Sequence, residues 1–170
     1  MTLVRSAAFT ALVVVALVLQ TSVFSHLAFA GVVPNLVLLL VVAMAIARGP
    51  EAAAVLGLLA GLALDLAPPA DHVAGRWALA LVVVGYLAGR VRSDAGSSAF
   101  AAVVTVAACS FVGTSVFALS GMILGDGGVS VGAVLQVVPI SLVYDVLVTP
   151  LVLPLALTVL RRLEQTRVAW

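Results

Sequence analysis

Six apolar runs, at about 6–24, 34–47, 51–66, 77–90, 99–124 and 131–160, fill nearly the whole chain, separated only by short polar or helix-breaking stretches. Hydrocarbon offers no partner for backbone N–H and C=O groups, so such runs cross a bilayer as helices that satisfy their own backbone. In water the same runs would have nothing to hide behind. Of the residues, 64% are hydrophobic and 9% charged, with a mean hydropathy of +1.32, whereas a soluble domain carries roughly 25% charged residues. The expectation is therefore all-α: an integral membrane bundle of six transmembrane helices forming one domain over residues 1–170, each span needing about 20 residues.

Charge placement orients this bundle. Every basic residue is Arg. With six spans and the N-terminus inside, Arg5, Arg48, Arg90, Arg92, Arg161, Arg162 and Arg167 face the cytoplasm and only Arg76 faces outward, a strong positive-inside bias. Seven spans would move Arg161, Arg162 and Arg167 across and erase that bias. Both termini are thus expected in the cytoplasm. Arg5, the first apolar run and Ala28-Phe29-Ala30 have the form of a secretory leader with its cleavage site; the run exceeds the 7–15 residues usual for such leaders, which predicts a retained first helix. The last run is too long for one straight span and holds Pro139, Pro150 and Pro154, so one kinked helix is expected.

The third run carries the most pattern. Gly57, Gly61 and Asp65 recur at i, i+4 and i+8 and share one helix face, with Leu66 beside them and Pro68-Pro69 ending the helix. Bare glycine patches at that spacing let another helix approach closely inside a bilayer. Gly85 and Gly89 repeat the spacing in the fourth run, as Ala7 and Ala11 do in the first. Pro34 is expected to open the second helix, where its missing N–H costs nothing, and Trp77 to anchor the fourth at the membrane interface.

Asp65 lies about 21 Å beyond Glu51 on a helix rising 1.5 Å per residue, toward the outer side. Two roles are open to it: capping the next loop, or positioning a partner helix or lining an outer cavity. Asp145 falls near the middle of the last run, where a carboxylate is expensive. It serves either as hydrogen-bonded glue to a neighbouring helix or as a proton or ligand site, and no ionisable partner is evident at its depth. Gln20 and Gln136 fall in the outer half with Asp65 and are candidates for a polar cluster. Asp71-His72 supplies too few ligands for a metal site, and Cys109, alone in an apolar run, is expected to be a reduced packing residue. No G-x-S-x-G, H-E-x-x-H or P-loop motif occurs. Nothing suggests an enzyme or a cofactor, and a net charge of +1 does not argue for nucleic acid.

Pro34-Asn35-Leu36, then Gly57, Gly61, Leu62, Asp65 and Leu66, then the proline-containing loop with Gly75, resemble the MreD family of rod shape-determining membrane proteins. The hydropathy of essentially the whole chain fits that family. Asn35 stands where the family typically has Asp, a departure that bears on a charge at this position but not on a hydrogen bond. The resemblance implies a non-enzymatic scaffold of the bacterial elongation complex, binding MreC and linked to MreB, RodA and a class B penicillin-binding protein. On that reading the Gly57–Gly61 face receives the membrane helix of MreC, and a second copy of the chain is a further candidate partner. The family is similar in architecture to the six-helix substrate-binding components of energy-coupling-factor vitamin transporters. This sets the rival expectation, a small-molecule-binding transport component, with Ala7-x-x-x-Ala11 as its docking motif and Gln20, Asp65 and Gln136 as its pocket. Against it stand short outer loops poor in aromatic and polar groups.

Overall fold

The computed structural model describes residues 2–29, 31–68, 72–96, 98–126 and 129–165. Ala30, Pro69, Asp71 and Arg167 lie outside the described residues, as does the side chain of Arg5. Among the described residues there are seven α-helices, in order α1 (Thr2–Ser22), α2 (Leu36–Arg48), α3 (Pro50–Leu66), α4 (Arg76–Arg90), α5 (Arg92–Ala95), α6 (Ala99–Ile123) and α7 (Val131–Gln165). A single 3-10 turn, Phe24–Leu27, follows α1.

The lengths divide the helices into two sets. Windows in α1, α6 and α7 are long and apolar enough to cross a membrane. By contrast α2, α3 and α4 have 13, 17 and 15 residues, which at 1.5 Å per residue is about 20, 26 and 23 Å, short of a hydrocarbon core of about 30 Å. Among the described residues the six expected runs thus appear as three helices long and apolar enough to span and three shorter ones. The last run is one continuous helix with Pro139, Pro150 and Pro154 inside it.

At the centre stands α2, which contacts every other α-helix. Its sequence explains that position: Leu36-Val-Leu-Leu-Leu-Val-Val-Ala-Met-Ala45 has no polar face, and all ten residues are buried. A helix apolar all round is stable where it is surrounded on all sides. It begins two residues later than Pro34 suggested, because Asn35 rather than the proline caps it, its side-chain oxygen accepting from the Leu38 N–H at 2.9 Å. At the other end Gly49 turns the chain into α3 at φ +90°, a conformation open to glycine.

The glycines of α3 and α4 join these two helices to each other. A Cβ at Gly57 would land on the Leu81 carbonyl, and one at Gly61 on the Ala78 backbone. Reciprocally, a Cβ at Gly85 would strike the Ala53 carbonyl and one at Gly89 the Pro50 backbone. Four glycines thus bring two antiparallel backbones into contact. This corrects the sequence expectation for the Gly57–Gly61 face: it is already filled by α4 of the same chain. Leu66 is not part of that seam, being 73% exposed. Trp77, expected as a surface anchor, stacks on the Phe117 ring at 4.4 Å between centroids. Ala11, the describable half of the Ala7-x-x-x-Ala11 pair, is exposed.

Candidate functional site

Two buried carboxylates each meet the N-terminal end of another helix. Asp65 is 1% exposed. Its Oδ2 accepts from the Gly75 N–H at 2.8 Å and the Ala78 N–H at 3.1 Å, and its Oδ1 from the Trp77 N–H at 3.0 Å. These amides lie in the first turn of α4, whose N-cap residue, Gly75, has no side chain to satisfy them. Asp65 supplies the cap from the preceding helix, with its charge at the positive end of the α4 dipole. The His72 ring nitrogen lies 3.6 Å from the same carboxylate.

Asp145 is also 1% exposed. Its Oδ1 accepts from the Asn35 N–H at 2.7 Å and its Oδ2 from the Ser110 hydroxyl at 2.6 Å. One side chain of α7 therefore holds both α6 and the start of α2. The N-terminus of α2 is completed by its own Asn35 and by Gln20 of α1, whose Oε1 accepts from the Val37 N–H at 3.4 Å. Thr149 donates to the Asp145 carbonyl, a bond within α7. The orphan amides of α2 would be costly in hydrocarbon. The side chains of Gln20 in α1, Asp145 in α7 and the N-cap Asn35 remove that cost.

Third in this set is Arg76, 2% exposed. Its Nε and Nη2 donate to the Phe117 carbonyl at 3.2 and 2.8 Å, its Nη1 pairs with Asp126, and its guanidinium lies 3.9 Å from the Phe117 ring centroid. Gly121 leaves room for it, since a Cβ there would meet the guanidinium. The charge count identified Arg76 only as the basic residue on the wrong side. That isolation was itself a signal of pairing, as was the lone Asp126 in the turn after α6. Ser110 and Thr149 had weaker signals, a hydroxyl inside an apolar run and an i+4 spacing from Asp145.

The expected outer cluster does not assemble. Gln20 and Asp65 serve different helix ends, and Gln136 is exposed. Among the described residues no group of three or more His, Cys, Asp or Glu is placed to hold a metal ion. Two grooves open on the flanks. One, of about 510 Å³, lies between α1 and α3 and has Phe9, Val13, Met44, Val55 and Leu59 in its wall and Arg48 and Glu51 at one end. The other, of about 370 Å³, runs between α4 and α6.

An all-helical membrane protein in which buried charges join helices to one another is defined by its packing surfaces. Residues 2–162 match the family model described as rod shape-determining protein MreD, and the chain belongs to that family. It is a membrane protein of rod-shape determination, in a family not known for enzymatic activity. No curated protein and no solved structure matches the chain.

Proposed function

We propose that this chain acts in cell-shape determination as a non-enzymatic scaffold in the bacterial inner membrane, receiving the single membrane helix of MreC and thereby helping to organise peptidoglycan synthesis with MreB, RodA and a class B penicillin-binding protein. The carrying observation is the groove between α1 and α3. With the glycine face of α3 consumed by α4, its other side presents Val55, Leu58 and Leu59, all exposed, beside an α1 that packs mainly on α2. The stretch of α3 from Glu51 to Ala63 in the groove wall is about 18 Å long, three turns of a partner helix. Arg48 and Glu51 at its end offer charge to a juxtamembrane segment. All six longer helices embed in the bilayer on this reading, the short α2–α4 sheltered by the long ones, and the arginine distribution puts both termini in the cytoplasm.

Filling the groove tests the proposal. Val55→Trp with Leu59→Trp should abolish co-purification with MreC from mild detergent and round the cells, whereas Leu147→Trp with Leu151→Trp, on an exposed face of α7, should do neither. Undiminished recovery of MreC by the groove variant would sink this docking site.

A further inference from the structure

At the end of the bundle where α2 stops and α3 starts, Arg48, Arg90 and Arg92 line a polar pocket of about 400 Å³ with Gly49, Pro50 and Glu51. The arginines come from three separate helices. Their convergence depends on the tight turns already described: without a Cβ at Gly49 the Arg92 guanidinium lies over the α2–α3 turn, and Gly89 lets the end of α4 reach Pro50. The N-terminus of α3 enters the same pocket with Gly49 as a cap that has no side chain, so its amides add to the positive potential. Glu51 is the opposing charge there, one carboxylate against three guanidinium groups.

Arg90 lines a second cavity as well. The apolar groove between α4 and α6 is walled by Leu87, Val91, Val104, Ala108 and Val112 and ends at this arginine. Leu87, Val91 and Val104 are exposed, so the groove opens on the flank that meets lipid. A basic pocket and an apolar groove that share one side chain have complementary needs: an anionic oxygen group for the first and a hydrocarbon chain for the second. Free phosphate would occupy only the pocket, and a neutral lipid only the groove. The positive-inside rule puts this end of the bundle toward the cytoplasm, where anionic headgroups attract juxtamembrane arginine.

We propose that the pocket of Arg48, Arg90 and Arg92 and the α4–α6 groove together form a binding site for one anionic phospholipid, with its phosphate among the arginines and an acyl chain between the helices. The site meets the α1–α3 groove at Arg48 and Glu51, which line both, whereas Arg90, Arg92 and the α4–α6 groove lie outside it, so variants of those residues test the lipid site without touching the MreC groove.

Native mass spectrometry of the delipidated full chain, titrated with phosphatidylglycerol and with diacylglycerol of the same acyl chains, tests the proposal. Three arginines set against Glu51 leave a net of two positive charges, so at roughly 1 kcal/mol for each near an anionic surface phosphatidylglycerol should bind at one site with about a thirtyfold preference. Arg90→Gln with Arg92→Gln should erase the preference while leaving helical content and elution volume unchanged. Ala108→Trp, at an exposed position in the groove, should weaken both lipids without altering charge. Arg161→Gln with Arg162→Gln, which lie in the last turns of α7 and outside the pocket, should leave the preference intact. An equal loss in that control would show general charge attraction and overturn the site. Displacement of the lipid by millimolar inorganic phosphate would overturn the lipid assignment in favour of a soluble anion, and so would retention of the preference in the Ala108→Trp variant at full affinity.

Discussion

Asp65 and Asp145 are both 1% exposed and both accept from amides at the N-terminal end of another helix, yet they do different work. Asp65 closes a local hairpin: its three donors lie ten to thirteen residues ahead, and the same hairpin is zipped by four glycines. Asp145 closes the whole bundle. Its donors lie 110 residues away on α2 and 35 away on α6, so it forms only when distant helices have met. The hairpin brings no distant segment together, and loop closure costs it less than it costs the long-range contact.

The donors also differ in kind. The hydrogen bonds to Asp65 all come from backbone N–H groups, which cannot reverse, with the His72 ring nitrogen farther off at 3.6 Å. Asp145 meets one N–H and one hydroxyl, and a hydroxyl can accept as readily as it donates. A substitution that replaces one carboxylate oxygen by NH2 therefore separates the two sites.

The largest effect is expected in the glycine seam. Gly57→Leu with Gly61→Leu drives side chains into the α4 backbone, which cannot move aside as a flexible side chain would; at about 1–3 kcal/mol or more for each overpacked position, the folded protein should be lost from membranes, as immunoblotting of membrane fractions would register. Survival of that variant at normal levels would break the account of a closed hairpin. Next comes Asp145→Ala, which strands the Asn35 N–H and the Ser110 hydroxyl in a buried site and should cost about 2–6 kcal/mol, at 1–3 kcal/mol for each unsatisfied group, read as a lower unfolding midpoint in detergent. The paired amides sharpen the comparison further. Asp65→Asn turns an NH2 toward a backbone N–H and should cost about 2 kcal/mol. Asp145→Asn should cost less than about 1 kcal/mol, because Ser110 can turn and accept. The reverse order in denaturation midpoints would refute the difference drawn here. Smallest, Phe117→Leu removes the ring shared by Trp77 and Arg76 and should cost about 1 kcal/mol, while leaving the Arg76 bonds to the residue 117 carbonyl in place.

Much of the local plan could be read directly. The apolar runs placed the helices, because an uninterrupted run with no charge has no alternative to helix in a bilayer. Gly57, Gly61 and Asp65 stood out on one face, because a glycine stripe and a buried acid are both costly and rare. What the stripe receives was not legible: the spacing specifies close approach but not whose backbone approaches, and α4, the next helix along the chain, took it. Likewise Gln20, Asp65 and Gln136 share a depth without sharing a direction, since position along a helix says nothing of which neighbour its face will meet.

Sequence alone determined that this chain is helical and belongs in a membrane, since hydropathy acts residue by residue. Tertiary structure decided that α2 runs through the centre, that Asp145 joins it to α6 and α7, and that Arg48, Arg90 and Arg92 meet in one pocket. Those facts depend on which helix faces turn toward one another, and close packing settles that over the whole bundle at once.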